Sequence, residues 1–159
     1  MPRHKTKVLV RDIPPDRIYN SVQVQRVINR VMRDGKKQIA ERLVYDGMEK
    51  AAKKLKVDNP LEVFEHAIKN VQPHMETRSR RVGGANYQIP FEVKGQRQTH
   101  LTTMWFVAAC RSRKGMSMAD RIAFELVDAY NSQGSAVKKK EDTHKMAEAN
   151  RAFAHFART

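Results

Sequence analysis

Apolar residues recur at helical spacing along most of this chain, and that spacing fails over one internal stretch, from Gln72 to Glu92. A chain patterned this way is constrained to packed helices interrupted by a single extended insert. Val24, Val27, Ile28 and Val31 fit the i, i+3, i+4, i+7 template and Asp34-Gly35 supplies a stop, so a first helix of about 13 residues is expected from Asn20. Ile39, Leu43, Met48, Ala51, Ala52 and Leu55 mark a second helix that fades near Lys56. Asn59, Pro60 and Glu62 form a capping-box start for a third, with Leu61, Phe64, Ile68 and Val71 inward. Leu101, Met104, Trp105, Ala108 and Ala109 line a fourth helix that closes at Lys114-Gly115. Ser117 caps a fifth, with Ala119, Ile122, Ala123, Leu126 and Tyr130 inward and Gly134 as its stop. Ser135 opens a sixth helix towards Asn150, and Phe153 and Phe156 lie on a short tail helix.

In the insert, Tyr87, Ile89, Phe91 and Val93 alternate after the turn Val82-Gly83-Gly84-Ala85, which predicts a β-ribbon over 73–92. Arms of about eight residues reach roughly 25 Å at ~3.3 Å per residue, far enough to project from a helical body. A two-stranded ribbon is marginal by itself, so a partner is expected to order its tip. The expected fold is mostly α: a bundle of about six helices, one projecting two-stranded antiparallel β-ribbon and a basic N-terminal arm (1–19), in one domain over 1–159.

Charge then narrows the function. Lys plus Arg number 31 against 17 Asp plus Glu, a net +14 that points to a polyanionic partner. Residues 1–33 carry 8 basic and 2 acidic side chains and residues 72–114 again 8 and 2, whereas the remainder is nearly balanced, as on solvated helix faces. The arm, with Pro2, Pro14 and Pro15 among Arg3, Lys5, Lys7 and Arg11, reads as a segment that orders on a polyanion. The lone cysteine, Cys110, excludes an internal disulfide and fits a reducing, cytoplasmic setting. Met104 to Cys110, the longest apolar run, is far short of the roughly 20 residues of a membrane span. Met1 to Lys7 has no apolar stretch behind it, so no secretory signal is expected.

Catalytic spacings are absent: there is no H-E-x-x-H, C-x-x-C, G-x-S-x-G or phosphate-binding G-x-x-x-x-G-K-[ST]. His4, His66, His74, His100, His144 and His155 are scattered without ligand spacing, and Cys110 reads as a small buried hydrophobe. No enzyme, metal or cofactor is expected, and a nuclease lacks the acidic cluster a metal would need. Three basic constellations remain. Arg78, Arg80 and Arg81 lead into Gly83 and Gly84, where arginine forks and bare backbone can approach phosphates together, with Tyr87 nearby to stack on a base. Charge that protects an edge strand would explain some of this, but three arginines in four residues exceed that need. Lys94, Arg97, Arg111, Arg113 and Lys114 flank the fourth helix; charge at a helix C-terminus accounts for the last three and not for Lys94 or Arg97. Lys138, Lys139 and Lys140, next to Glu141 and Asp142, fit an RNA contact or a solvated face, and Lys36-Lys37 is similarly divided. Aromatics are only 7% of the chain, so recognition should rest on phosphates and shape, which favours structured RNA. A DNA-binding helix-turn-helix built from the first two helices is the alternative, although the second helix lacks concentrated base-reading side chains.

Arg80-Arg81-Val82-Gly83-Gly84-Ala85-Asn86-Tyr87-Gln88-Ile89-Pro90, preceded by Val71-Gln72-Pro73, resembles the ribbon of the small-subunit ribosomal protein seven family. Met32-Arg33-Asp34-Gly35-Lys36-Lys37 is similar to that family's first interhelical turn, and Ala136 to Phe156 to its last helix. The blocks lie in the family's order over essentially the whole chain. The resemblance implies a structural, non-catalytic RNA-binding protein of the small ribosomal subunit. Such a protein is a primary binder of the 3′ major domain of 16S rRNA that nucleates assembly of the head, with its ribbon bordering the exit-site tRNA and the mRNA path. It also implies ribosomal proteins nine and eleven as neighbours, no membrane, no homo-oligomer and, in some members, repression of the protein's own message. On this chain the arm residues, Lys36, Lys37, Lys94, Arg97 and Arg111 to Lys114 would face rRNA, and Arg78 to Tyr87 rRNA or exit-site ligands. Two departures stand out: Gly95 replaces a usual proline in a segment usually richer in arginine, and the chain ends Phe156-Ala157-Arg158-Thr159 in place of an aromatic-arginine-tryptophan ending.

Overall fold

The computed structural model describes residues 12–157, so Arg3, Lys5, Lys7 and Arg11 lie outside the described residues. Six α-helices and a two-stranded ribbon follow in the order expected: α1 (Val22–Val31), α2 (Lys37–Leu55), α3 (Pro60–Val71), β1 (Met75–Val82), β2 (Ala85–Glu92), α4 (Gly95–Ser112), α5 (Met118–Tyr130) and α6 (Gly134–Ala149). A 3₁₀ segment, η1 (Arg151–Ala157), completes the described chain. The starts of α3 and α5 follow from their caps: the Asn59 side chain accepts from the Leu61 amide at 3.0 Å, and Ser117 Oγ from the Asp120 amide at 3.2 Å.

α2 and α3 pack on α5, with α1, α4 and α6 closing the bundle around them. Phe64, Phe106, Ile28, Met48 and Leu126 are fully buried within one continuous cluster fed by all six α-helices. At the α2/α5 crossing Gly47 lets the backbones approach; a Cβ there would lie 2.7 Å from Ile122 Cγ2.

Several expected positions differ. Ile39 is 58% exposed, because it sits in the first turn of α2, ahead of the part that α5 covers. Ala108 faces solvent, and Phe106, Val107 and Cys110 hold the inward face of α4. Cys110 is buried and its thiol is pushed up, chiefly by that burial and then by Glu125, so it is chemically quiet. α1 starts two residues later than expected because Asp16 organises the preceding chain. Its carboxylate, 3% exposed as a residue, accepts from the amides of Ile18, Tyr19 and Ser21 at 3.1, 2.9 and 2.8 Å and from the Tyr45 hydroxyl at 3.2 Å. Asp16 to Ser21 is therefore anchored, and the expectation of an arm without structure does not hold there. Burial first, and then the Asp16 charge and hydrogen bond, push the Tyr45 hydroxyl up to about 12.

The corner between α5 and α6 also differs. The left-handed residue that ends α5 is Ser132 at φ 57°, and Gln133 donates to the Asp128 carbonyl at 2.7 Å. Gly134, expected as that stop, begins α6 at φ 91°, and a Cβ there would lie 2.9 Å from Asp128 Cβ. Gly95 opens α4 at φ 57°, a conformation closed to proline, so its departure from the family pattern is expressed in the backbone.

Candidate nucleic-acid interface

The ribbon register pairs Val82 with Ala85 around Gly83 and Gly84, at φ 58° and 92°. Two successive positive φ values make the tight turn whose twist suits a hairpin, and space beside both glycines is open. Direct pairing of Glu76 with Phe91, Arg78 with Ile89 and Arg80 with Tyr87 puts these six on one face, and Arg81, paired with Asn86, on the other.

That first face is not bare. Tyr87 meets Phe153 and Phe156 of η1 with ring centroids 5.1 and 5.8 Å apart, and Arg80 Nη1 donates to the Phe156 carbonyl at 2.9 Å. Lower down, the Glu76 carboxylate accepts from Arg78 Nε at 2.6 Å and from Arg97 Nη2 at 2.9 Å, which ties β1 to the start of α4. Burial would raise the Glu76 carboxyl, but hydrogen bonds from Arg97 and Arg78 outweigh it and hold the group below its usual range. On α6, Met146 Sδ accepts from Thr77 Oγ1 at 3.2 Å, and His144 Nε2 from the His74 amide at 3.0 Å. The chain's own tail thus packs along the ribbon as far as Arg80 and Tyr87, and the Gly83-Gly84 tip, where the sequence suggests an external partner, lies beyond these contacts.

The other basic candidates divide by how much of their hydrogen-bonding capacity is spent internally. Arg113 is turned inward: it donates to Glu125 Oε2 at 3.0 Å through Nε and 2.6 Å through Nη2, and pairs with Asp128. Expected as an RNA contact, it spends these donors on a structural link between the end of α4 and α5. Lys140 Nζ donates to the Asn70 carbonyl at 2.6 Å, clipping α6 to the end of α3. Lys94 pairs with exposed Glu92 at 2.8 Å and Lys37 with Glu41 at 3.7 Å, pairs weak enough for a phosphate to displace. Lys36, Arg81, Lys114, Lys138 and Lys139 are exposed with no ion pair among the described residues.

What the sequence did not show is how α1 and α4 join the two basic stretches. Arg111 Nη2 donates to the Arg30 carbonyl at 2.9 Å, laying the end of α4 against the end of α1. At the opposite end of α4, Arg26 and Arg30 line a cavity of about 580 Å³ with Gln96, Thr99 and His100. No sequence motif singles out Arg26, Arg30, His100 or Arg121; the charge excess of residues 1–33 is the signal for the first two. Among the described residues no three His, Cys, Asp or Glu side chains gather as metal ligands, and no helix is long and apolar enough to cross a membrane.

This arrangement of cations over a helical body with a Gly-Gly ribbon coincides with a family. A sequence model described as Ribosomal protein S7p/S5e matches residues 3–151. The chain belongs to that family. A member of it is a structural ribosomal protein and not an enzyme, which sets aside the helix-turn-helix alternative. The chain is 58% identical over 147 residues to the small ribosomal subunit protein uS7 of Thermosipho africanus, covering 92% of this chain and 94% of that protein. It is 54% identical over 156 residues to the protein of the same name from Dictyoglomus turgidum, covering 98% and 99%. With that of Chloroflexus aurantiacus it shares 51% over 158 residues, 99% of each.

Proposed function

We propose that this S7-family chain is a constituent of the small ribosomal subunit that binds the 3′ major domain of 16S rRNA and nucleates assembly of the subunit head. The observation that carries the reading is the junction of α1 and α4, where Arg111 holds the Arg30 carbonyl and Arg33 and Arg111, from the two separate basic stretches, line one groove. Such a surface reads backbone and shape, and arginine forks give it directional phosphate contacts. The arm residues Arg3 to Arg11 would extend it. Arg81 and the open Gly83-Gly84 turn, exposed beside an Arg80 that is tied to the Phe156 carbonyl and a half-buried Tyr87, are the parts of the ribbon suited to the exit-site tRNA and the mRNA path. Ribosomal proteins nine and eleven are the proposed protein neighbours, and the whole of 1–159 acts as one domain in the cytoplasmic ribosome.

A salt-titrated binding assay against a folded 3′ major domain fragment, with unrelated structured RNA and matched duplex DNA as competitors, tests this reading. A preference of about a thousandfold for the rRNA at physiological salt is expected, within the usual span of specific over non-specific binding. Affinity should fall by about 10³ to 10⁵ between roughly 50 and 200 mM salt if six to ten phosphates are neutralised. Equal binding to all three nucleic acids would overturn it.

A further inference from the structure

Between the α1/α2 turn and the start of α5 lies a groove of about 320 Å³ whose two kinds of lining call for different chemistry. Its floor is apolar, made by Val31, Met32, Ile39, Ala40, Leu43 and Met118. Its rim is cationic, with Arg33, Lys36, Arg111 and Arg121, and no carboxylate lines it. Ile39 is 58% exposed there, a large aliphatic side chain that the described residues leave largely uncovered.

Two of the four cations are held in place before any ligand arrives. Arg121 Nε donates to the Met116 carbonyl at 2.9 Å and Arg111 Nη2 to the Arg30 carbonyl at 2.9 Å, which leaves most of each guanidinium's donors unused. Arg33 and Lys36 stand on the turn closed by the Lys36 amide on the Arg33 carbonyl at 3.0 Å, with Asp34 and Gly35 both at positive φ. Fixing the side chains in advance lowers the ordering cost of binding.

We propose that this groove seats one unstacked nucleobase of the bound RNA, its face on Ile39, Leu43 and Met118, with the flanking phosphates on Arg33, Lys36, Arg111 and Arg121. The inference rests on the rRNA-binding reading above and adds to it a pocket that takes a base. A phosphate site alone would have no use for six apolar residues, and an apolar peptide would have no use for four cations without a carboxylate. A nucleotide presents both faces within one unit, and the volume is at the low end of pockets that enclose a small molecule, about 300 to 1,000 Å³. Two methionines suit an uneven, adaptable floor.

The test uses the full chain with the folded 3′ major domain fragment and the variants Ile39→Ser, Ile39→Leu, Lys36→Gln and Arg121→Gln. Exposure of Ile39 means that its replacement leaves the bundle intact, and circular dichroism checks this. Ile39→Ser should weaken binding about tenfold, in the range found for losing one base contact, with the salt slope unchanged. Dimethyl sulfate probing should then show at least one base protected by the parent and exposed with Ile39→Ser, while hydroxyl-radical protection of the backbone persists. Ile39→Leu should behave as the parent, and each rim variant should flatten the salt slope by about one. If the parent prefers the rRNA but Ile39→Ser binds equally well with the same base protections, the groove inference fails and the rRNA reading stands. Loss of another small-subunit protein from reconstituted particles with Ile39→Ser, with rRNA binding unchanged, would assign the groove to a protein and overturn the inference as well. If the parent shows no preference for the rRNA, the functional reading fails and this inference falls with it.

Discussion

Arg113 and Glu125 form a two-pronged pair: both Nε and Nη2 of the guanidinium donate to Glu125 Oε2, at 3.0 and 2.6 Å, and the carboxylate has no solvent exposure. Glu125 Oε1 in turn accepts from the Ala136 amide at 3.0 Å, so one buried acid joins the end of α4, the middle of α5 and the start of α6. Burial would lower the Arg113 pKa, but hydrogen bonds to Glu125 and Asp128 outweigh it and raise it, keeping the group charged.

Removing one partner of a buried pair strands the other, a loss of about 3–5 kcal/mol. Arg113→Ala, which strands the buried Glu125 carboxylate, should therefore lose about that much stability in urea unfolding, and Glu125→Ala less, because Arg113 is partly exposed and keeps Asp128. On folded material Arg113→Ala should bind rRNA with an unchanged salt slope, whereas exposed Lys114→Gln should lower it by about one. A lower slope for Arg113→Ala would return that residue to the RNA contacts.

Glu76 couples stability to pH. Its carboxyl is held below the ordinary range when folded, so its contribution is complete above the unfolded pKa near 4.5 and is lost as pH falls through the lower folded value. Glu76→Gln should destabilise the protein at neutral pH, and the gap between variant and parent should close as pH drops below 4.5. Thermal unfolding at a series of pH values measures this. A gap that stays constant down to acid would show that the Arg78 and Arg97 bonds do not depend on the charge.

The contact of η1 with Tyr87 predicts a local effect. Phe156→Ala removes one ring from Tyr87 and loosens the segment whose carbonyl accepts from Arg80. Amide exchange in Arg80 to Gln88 should accelerate, while the unfolding midpoint of the helical body barely moves, since Ile89, though buried, lies outside the main cluster. Unchanged exchange would mean that the turn and the α6 contacts order the ribbon unaided.

Gly47→Ala tests close packing. In an exposed helix this change stabilises by up to about 1 kcal/mol. Here the new Cβ would sit 2.7 Å from Ile122 Cγ2 and 3.1 Å from the Ala119 carbonyl, so a lower denaturation midpoint is expected. A rise would show that α2 and α5 can separate at little cost.

The sequence by itself determined the element order, since periods of 3.6 and 2 and the caps at Asn59 and Ser117 act over a few residues. It also located the ribbon's turn, because Gly83-Gly84 accepts the two successive positive φ values that the hairpin uses. Tertiary structure alone decided which cations remain available. Arg113, Arg80 and Lys140 look in sequence like Lys114, Arg81 and Lys139, yet the first three meet a carboxylate or carbonyl brought from 12, 76 and 70 residues away. It also decided that Ile39 stays uncovered beside Arg111 and Arg121, since helix crossing sets that neighbourhood. Local pattern reports a residue's own secondary structure, and charge reports its sign; which partner neutralises it depends on contacts between elements far apart in the chain.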